Sequence, residues 1–89
     1  MLRRYRVIVH GRVQGVFFRD TTRRHAEARG VAGWARNLPD GTVEVVLEGE
    51  PDALDELVRF CHEGPSGAQV ERVEIVDEPP EGLRGFAIR

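Results

Sequence analysis

Lysine is absent from this chain of 89 residues, and all 13 of its basic side chains are arginines. That absence excludes a Walker-type loop, whose lysine must reach the β- and γ-phosphates of a nucleotide. No G-x-G-x-x-G follows a strand pattern, which removes dinucleotide binding as well. Cysteine occurs once, so an internal disulfide is impossible and a reducing, cytoplasmic compartment is expected. Cys61 falls on an apolar helical stripe and has Gly67, not Arg, six residues on. It is therefore expected to be a buried, inert thiol and not a phosphatase nucleophile. Ser66 is the only serine and sits in a turn, which argues against a Ser-His-Asp triad. His10, His25 and His62 lack metal-ligand spacing, so no metal and no other cofactor is expected.

Charge and hydropathy are equally restrictive. The formal net charge of −2 supplies no general attraction for nucleic acid or anionic lipid, so any anion site must be local. No apolar run approaches the roughly 18 residues that a membrane span requires. Met1-Leu2-Arg3-Arg4 leads into a strand pattern and not into a signal sequence. A single domain over residues 1–89 is expected, acting as a cytoplasmic monomer with no nucleic-acid or membrane partner. Asn37 is the only asparagine. Arginine without lysine, together with scarce asparagine, fits heat adaptation or GC-rich coding. On either account something at position 37 kept an asparagine there.

The elements follow from periodicity and punctuation. Residues 3–10 read as a strand with Tyr5, Val7 and Val9 on one face, and the glycines of 11–19 break it. Asp20 is the expected N-cap of a helix running to about Arg29, with Gly30 as its stop and Thr22 and Ala26 as its thin apolar face. Residues 31–38 and 42–48 read as strands joined by a hairpin turn at Pro39-Asp40-Gly41. Pro51 opens a second helix whose Leu54, Leu57, Val58 and Cys61 follow the i, i+3, i+4, i+7 rule, and residues 64–67 end it. Residues 69–76 form a fourth strand with Val73 and Ile75 inward, and 85–89 a short last one. The order β-α-β-β-α-β predicts an α+β, ferredoxin-like sandwich: an antiparallel sheet, two helices on one face, the other face partly solvated.

That fold decides no chemistry by itself. The segment Gly11-Arg12-Val13-Gln14-Gly15-Val16-Phe17-Phe18-Arg19 joins the first strand to the first helix. Glycine at a sharp bend lets successive N–H groups form an anion-binding nest, and the helix that follows adds the positive end of its dipole. Arg19, at the far end of the loop, can add a planar, bidentate clamp on a phosphate. A second cluster, Gly33-Trp34-Ala35-Arg36-Asn37-Leu38-Pro39-Asp40-Gly41-Thr42-Val43, closes a strand and opens the hairpin.

Together the two segments closely resemble the signatures of the acylphosphatase family. The first matches G-x-V-Q-G-V-x-F-R at Gly11, Val13, Gln14, Gly15, Val16, Phe18 and Arg19. The second matches G-[WF]-[VA]-x-N-x-x-D-G-x-V at Gly33, Trp34, Ala35, Asn37, Asp40, Gly41 and Val43. Phe86-Ala87-Ile88-Arg89 is similar to the family's last strand. The resemblance implies hydrolysis of carboxyl–phosphate anhydrides. It implies a phosphate-binding loop of Gln14, Gly15, Val16, Phe17, Phe18 and Arg19, in which amides from about Gly15 onward and the Arg19 guanidinium hold the phosphoryl group. It also implies that Asn37 orients the attacking water. A neutral amide suits that task, since it both accepts and donates without repelling a dianion. No strong general base is visible. The leaving carboxylate is a weak base, so positioning and charge stabilisation can carry the reaction, with a substrate phosphate oxygen taking the proton.

Around these residues, Trp34 and Phe18 are expected to pack, Gln14 to fix the loop's shape, and Arg12, Arg36, Arg23 and Arg24 to be solvated. A noncatalytic RNA- or anion-binding module is the first rival, and it lacks the interleaved basic and aromatic strand residues of an RNA-binding sheet. The second is a domain of the kind that begins large carbamoyl-transfer maturation proteins, and the chain lacks their zinc-finger-like cysteines. The acyl group of the substrate has no signature in the sequence.

Overall fold

The computed structural model describes residues 1–89. Seven elements follow in order: β1 (Arg3–Arg12), α1 (Phe18–Ala28), β2 (Ala32–Asn37), β3 (Val43–Gly49), α2 (Pro51–Glu63), β4 (Gln69–Glu78) and β5 (Phe86–Ile88). They build one sheet of order β4-β1-β3-β2-β5. Val7 and Val9 of β1, Ala35 of β2, and Val43, Val45 and Leu47 of β3 share a face. There they pack with Phe18 and Ala26 of α1 and with Leu54, Leu57 and Cys61 of α2 in one apolar core. Alternation in the strands and the helical stripe of α2 thus meet as the sequence reading expected.

Four features differ from that reading. The sheet is mixed: β1–β3, β1–β4 and β2–β3 are antiparallel, but β5 runs parallel to β2. The chain leaves β4 at one edge of the sheet, crosses it, and returns at the opposite edge, which reverses its direction. Next, Gly11 does not break the first strand. It stays in β1 opposite Val70, just after a register shift between His10 and Gly11. A Cβ at Gly11 would lie 2.1 Å from the Gln69 carbonyl oxygen, so this glycine serves strand approach and not the loop. Third, α1 starts at Phe18, not after Asp20. Its N-cap is Phe17, in the left-handed region at φ 62°, and the Phe17 carbonyl accepts from the Thr21 amide at 3.0 Å. Finally, Ile75 shares the helix-facing side with Val73, yet it is 43% exposed, because β4 is an edge strand that the helices only partly cover.

The other face of the sheet is an acid–base lattice. Arg4, Glu44 and Glu48 are all buried there. Arg4 donates to Glu48 at 2.9 Å and to Glu78 at 3.0 Å, and Arg6 bridges Glu44 and Glu78. Buried charge of this kind persists only when it is fully paired. The sequence reading expected partial solvation here and did not anticipate the buried pairs.

Candidate active site

The loop between β1 and α1 opens onto a cleft of about 270 Å³ lined by Val13, Gly15, Phe17, Phe18, Arg19, Asp20, Asn37 and Ile88. Of the loop residues named from sequence, Gly15, Phe17, Phe18 and Arg19 line it, and Asn37 reaches it from the end of β2. The two segments that carry the resemblance therefore converge on one site. Phe18 has only 2% of its surface exposed, and its ring lies 5.7 Å from that of Phe60, so α1 begins in the core. Val16 packs against the core and does not line the cleft.

Gln14 stands behind the site. Its Nε2 donates to the carbonyls of Leu38 at 2.8 Å and Thr42 at 2.9 Å. Those carbonyls belong to the hairpin that follows Asn37, so one side chain ties the loop to the strand end bearing Asn37. The hairpin is itself fixed by Asp40, whose carboxylate accepts from the Thr42 hydroxyl at 2.6 Å and the Thr42 amide at 3.0 Å. Those two bonds hold the Asp40 carboxyl below its usual range.

Two left-handed residues shape the loop: Gly15 at φ 75° and Phe17 at φ 62°. For glycine that conformation is free, whereas for phenylalanine it costs about 1–2 kcal/mol. The main-chain N–H groups of Gly15, Val16, Phe17, Phe18 and Arg19 donate to no other main-chain group. Five consecutive donors, the last two at the start of a helix, are what an anion requires. Arg19 Nη1 donates to the main-chain oxygen of Arg89 at 3.2 Å, which steadies the guanidinium beside the cleft.

Asp20 was read as a helix cap and is instead an unforeseen member of the lining. Its carboxylate pairs with Arg23 at 2.6 Å and with Arg24 at 3.2 Å, so two guanidiniums offset the one anion beside the loop between β1 and α1. Arg24 is thus exposed, as a solvated face requires, and Arg23 is half-buried against Asp20. Arg36 is also engaged: it pairs with Glu44 and lies 5.2 Å from the Trp34 ring centroid, with Arg89 at 4.4 Å from the same ring. Trp34 is packed, as expected, on the face away from the helices.

The remaining reactive side chains stand apart from the cleft. Cys61 is buried in α2, and burial pushes its thiol up to about 12. His10 pairs with Glu74, and His25 stacks on Phe60 with centroids 4.3 Å apart. No three His, Cys, Asp or Glu side chains gather where a metal ion could be held. No helix is long and apolar enough to cross a membrane. Ile88 and Val13 are further lining residues that the sequence reading did not single out for the site.

The chain is similar to known proteins in both sequence and fold. The acylphosphatase family model matches residues 5–88. An acylphosphatase of Rubrobacter xylanophilus is 65% identical over 88 residues, covering 98% of this chain and 80% of that protein. The crystal structure of the Bacillus subtilis acylphosphatase superposes with a TM-score of 0.95 at 39% identity, covering 100% of this chain and 99% of that one. The structure of HypF from T. kodakarensis gives a TM-score of 0.84 at 30% identity, but this chain covers only 12% of it. With 84 consecutive residues under the family model and both signature segments meeting at one cleft, the chain belongs to the acylphosphatase family.

Proposed function

We propose that the chain hydrolyses acyl phosphates by holding the phosphoryl group on the amides of Gly15–Arg19 and the Arg19 guanidinium, while Asn37 orients the attacking water. The observation that carries this reading is the run of five loop amides without main-chain acceptors beside a cleft that Arg19 and Asn37 also line. Water oxygen bonds to phosphorus as the bond from phosphorus to the acyl oxygen breaks. The carboxylate leaves without protonation, and the water's proton passes to a phosphoryl oxygen. Charge on the equatorial oxygens is met by donors already in place, so little reorganisation accompanies the transition state. A carboxylate leaving group needs no acid to protonate it, and the one carboxyl in the lining, Asp20, is engaged by Arg23 and Arg24.

The same reading has the protein act as a cytoplasmic monomer without nucleic acid. Cys61 as a free, buried thiol supports a reducing compartment. The paired acids and arginines of the open sheet face argue against an RNA platform, which needs exposed aromatics and unpaired cations.

Kinetics of three variants test the roles. Arg19 holds phosphate in ground and transition states alike, so Arg19→Ala weakens inhibition by inorganic phosphate as well as turnover. Arg19→Lys rescues poorly, because it restores charge without the planar fork. Asn37 acts on the water alone, so Asn37→Ala lowers kcat by roughly 10²-fold or more while inorganic phosphate still binds. Thermal melts establish that each variant is folded. A folded Asn37→Ala with near-normal kcat, or with phosphate affinity as poor as that of Arg19→Ala, refutes the assignment.

A further inference from the structure

Four of the eight residues that line the cleft are apolar: Val13, Phe17, Phe18 and Ile88. Val13 and Phe18 are 1% and 2% exposed and form its floor. Gly15, Arg19 and Asn37 are committed to phosphate and water in the reading above, and the Asp20 carboxylate is occupied by Arg23 and Arg24. What remains are Phe17, 79% exposed, and Ile88, 38% exposed. They arrive from different elements, the loop and β5, at the same cleft. Phe17 is unfavourable twice over: a large aromatic ring left in water, on a backbone that excludes most side chains with a Cβ. Strained backbone of that kind clusters at active sites and ligand clamps.

In-line displacement adds direction. The acyl substituent leaves from the side of phosphorus opposite the water, so it does not compete for Asn37. We infer that Phe17 and Ile88 form the acyl-side subsite and that it selects acyl phosphates with apolar substituents, aromatic or branched, over acetyl phosphate. This rests on the phosphate-site reading and adds to it the substrate class. Both residues are specificity residues, because they touch the part of the substrate that does not react.

The test is a series of acetyl, butyryl and benzoyl phosphates against the full chain and two variants. Phe17→Asn removes the ring and keeps a residue that tolerates the left-handed backbone. Ile88→Thr keeps the β-branch that suits a strand. The reading is the ratio of kcat/KM for benzoyl over acetyl phosphate, variant relative to parent, in which leaving-group reactivity cancels. Each variant is expected to lower that ratio roughly 5-fold or more, with butyryl phosphate between the two, the scale for losing apolar contact to one substituent. Melting curves identify any variant that fails to fold, and the other then carries the test. A ratio unchanged within about twofold in folded Phe17→Asn or Ile88→Thr overturns the subsite while leaving the phosphate site standing. Failure of the parent chain to release phosphate from acetyl and benzoyl phosphate alike overturns the underlying reading instead.

Discussion

At the scale of single residues, Gln14 shows how much positioning one amide can supply. Both of its partners are carbonyls, at Leu38 and Thr42, so its nitrogen faces the hairpin and its two N–H groups are both used. Gln14→Leu keeps approximate shape and removes both side-chain bonds, while the Leu38 carbonyl keeps the Gly41 amide and the Thr42 carbonyl keeps the Leu38 amide. It should cost about 2 kcal/mol, from two ordinary hydrogen bonds at about 1 kcal/mol each. It should also lower kcat roughly tenfold by letting Asn37 drift relative to the loop. Denaturant melts with steady-state kinetics check both. A variant that loses stability but keeps kcat would show that Gln14 braces the fold without aligning the site. Gln14 was legible in the sequence as a shaping residue through the loop signature. Its partners were not, because main-chain carbonyls on a distant hairpin leave no trace in residue identity. Asp20 was misread for a related reason: helix α1 begins from a left-handed phenylalanine, and a single sequence gives no signal for that conformation in a residue other than glycine.

At the scale of elements, the connection between β4 and β5 matters most, because it delivers Ile88 to the cleft. It is held from beneath by Glu48 in the central strand β3, which is 3% exposed. The Glu48 carboxylate accepts from the amides of Glu81 at 2.8 Å, Gly82 at 3.0 Å and Leu83 at 2.9 Å, and from Arg4 at 2.9 Å. Burial alone would push this carboxyl up. The three amides and Arg4 outweigh it and hold it below its usual value of 4.5. A depressed carboxyl contributes stability that is present above the unfolded value and is lost as pH falls through the folded one. Glu78, held low by Arg6 and Arg4, acts in the same direction. Stability should therefore be full near neutrality and decline as pH drops below about 4.5. Glu48→Gln should cost about 3 kcal/mol at neutral pH, the scale for breaking a buried ion pair, and should flatten that acid decline. Denaturant unfolding across pH for both proteins measures it; an unchanged slope in Glu48→Gln would remove Glu48 from the acid response. From sequence, position 48 reads only as the end of the third strand, and its burial depends on a loop that folds back over the sheet.

At the scale of the whole molecule, the order of elements, the core face and the convergence of the two signature segments were all readable from 89 residues. The parallel β5 was not, since three residues carry no directional signal and their pairing follows from how the preceding connection crosses the sheet. The proposed phosphate site, built of main-chain amides and Arg19, requires neither lysine nor clustered metal ligands. The most direct test is hydrolysis of acetyl phosphate in water enriched in the heavy oxygen isotope, with excess EDTA, the products read by mass spectrometry. The account predicts undiminished turnover with one heavy oxygen in inorganic phosphate and none in acetate. Heavy oxygen in the acetate would mean attack at the carbonyl carbon, and loss of turnover restored by a divalent cation would mean a metal-assisted route; either contradicts hydrolysis at phosphorus on an amide cradle.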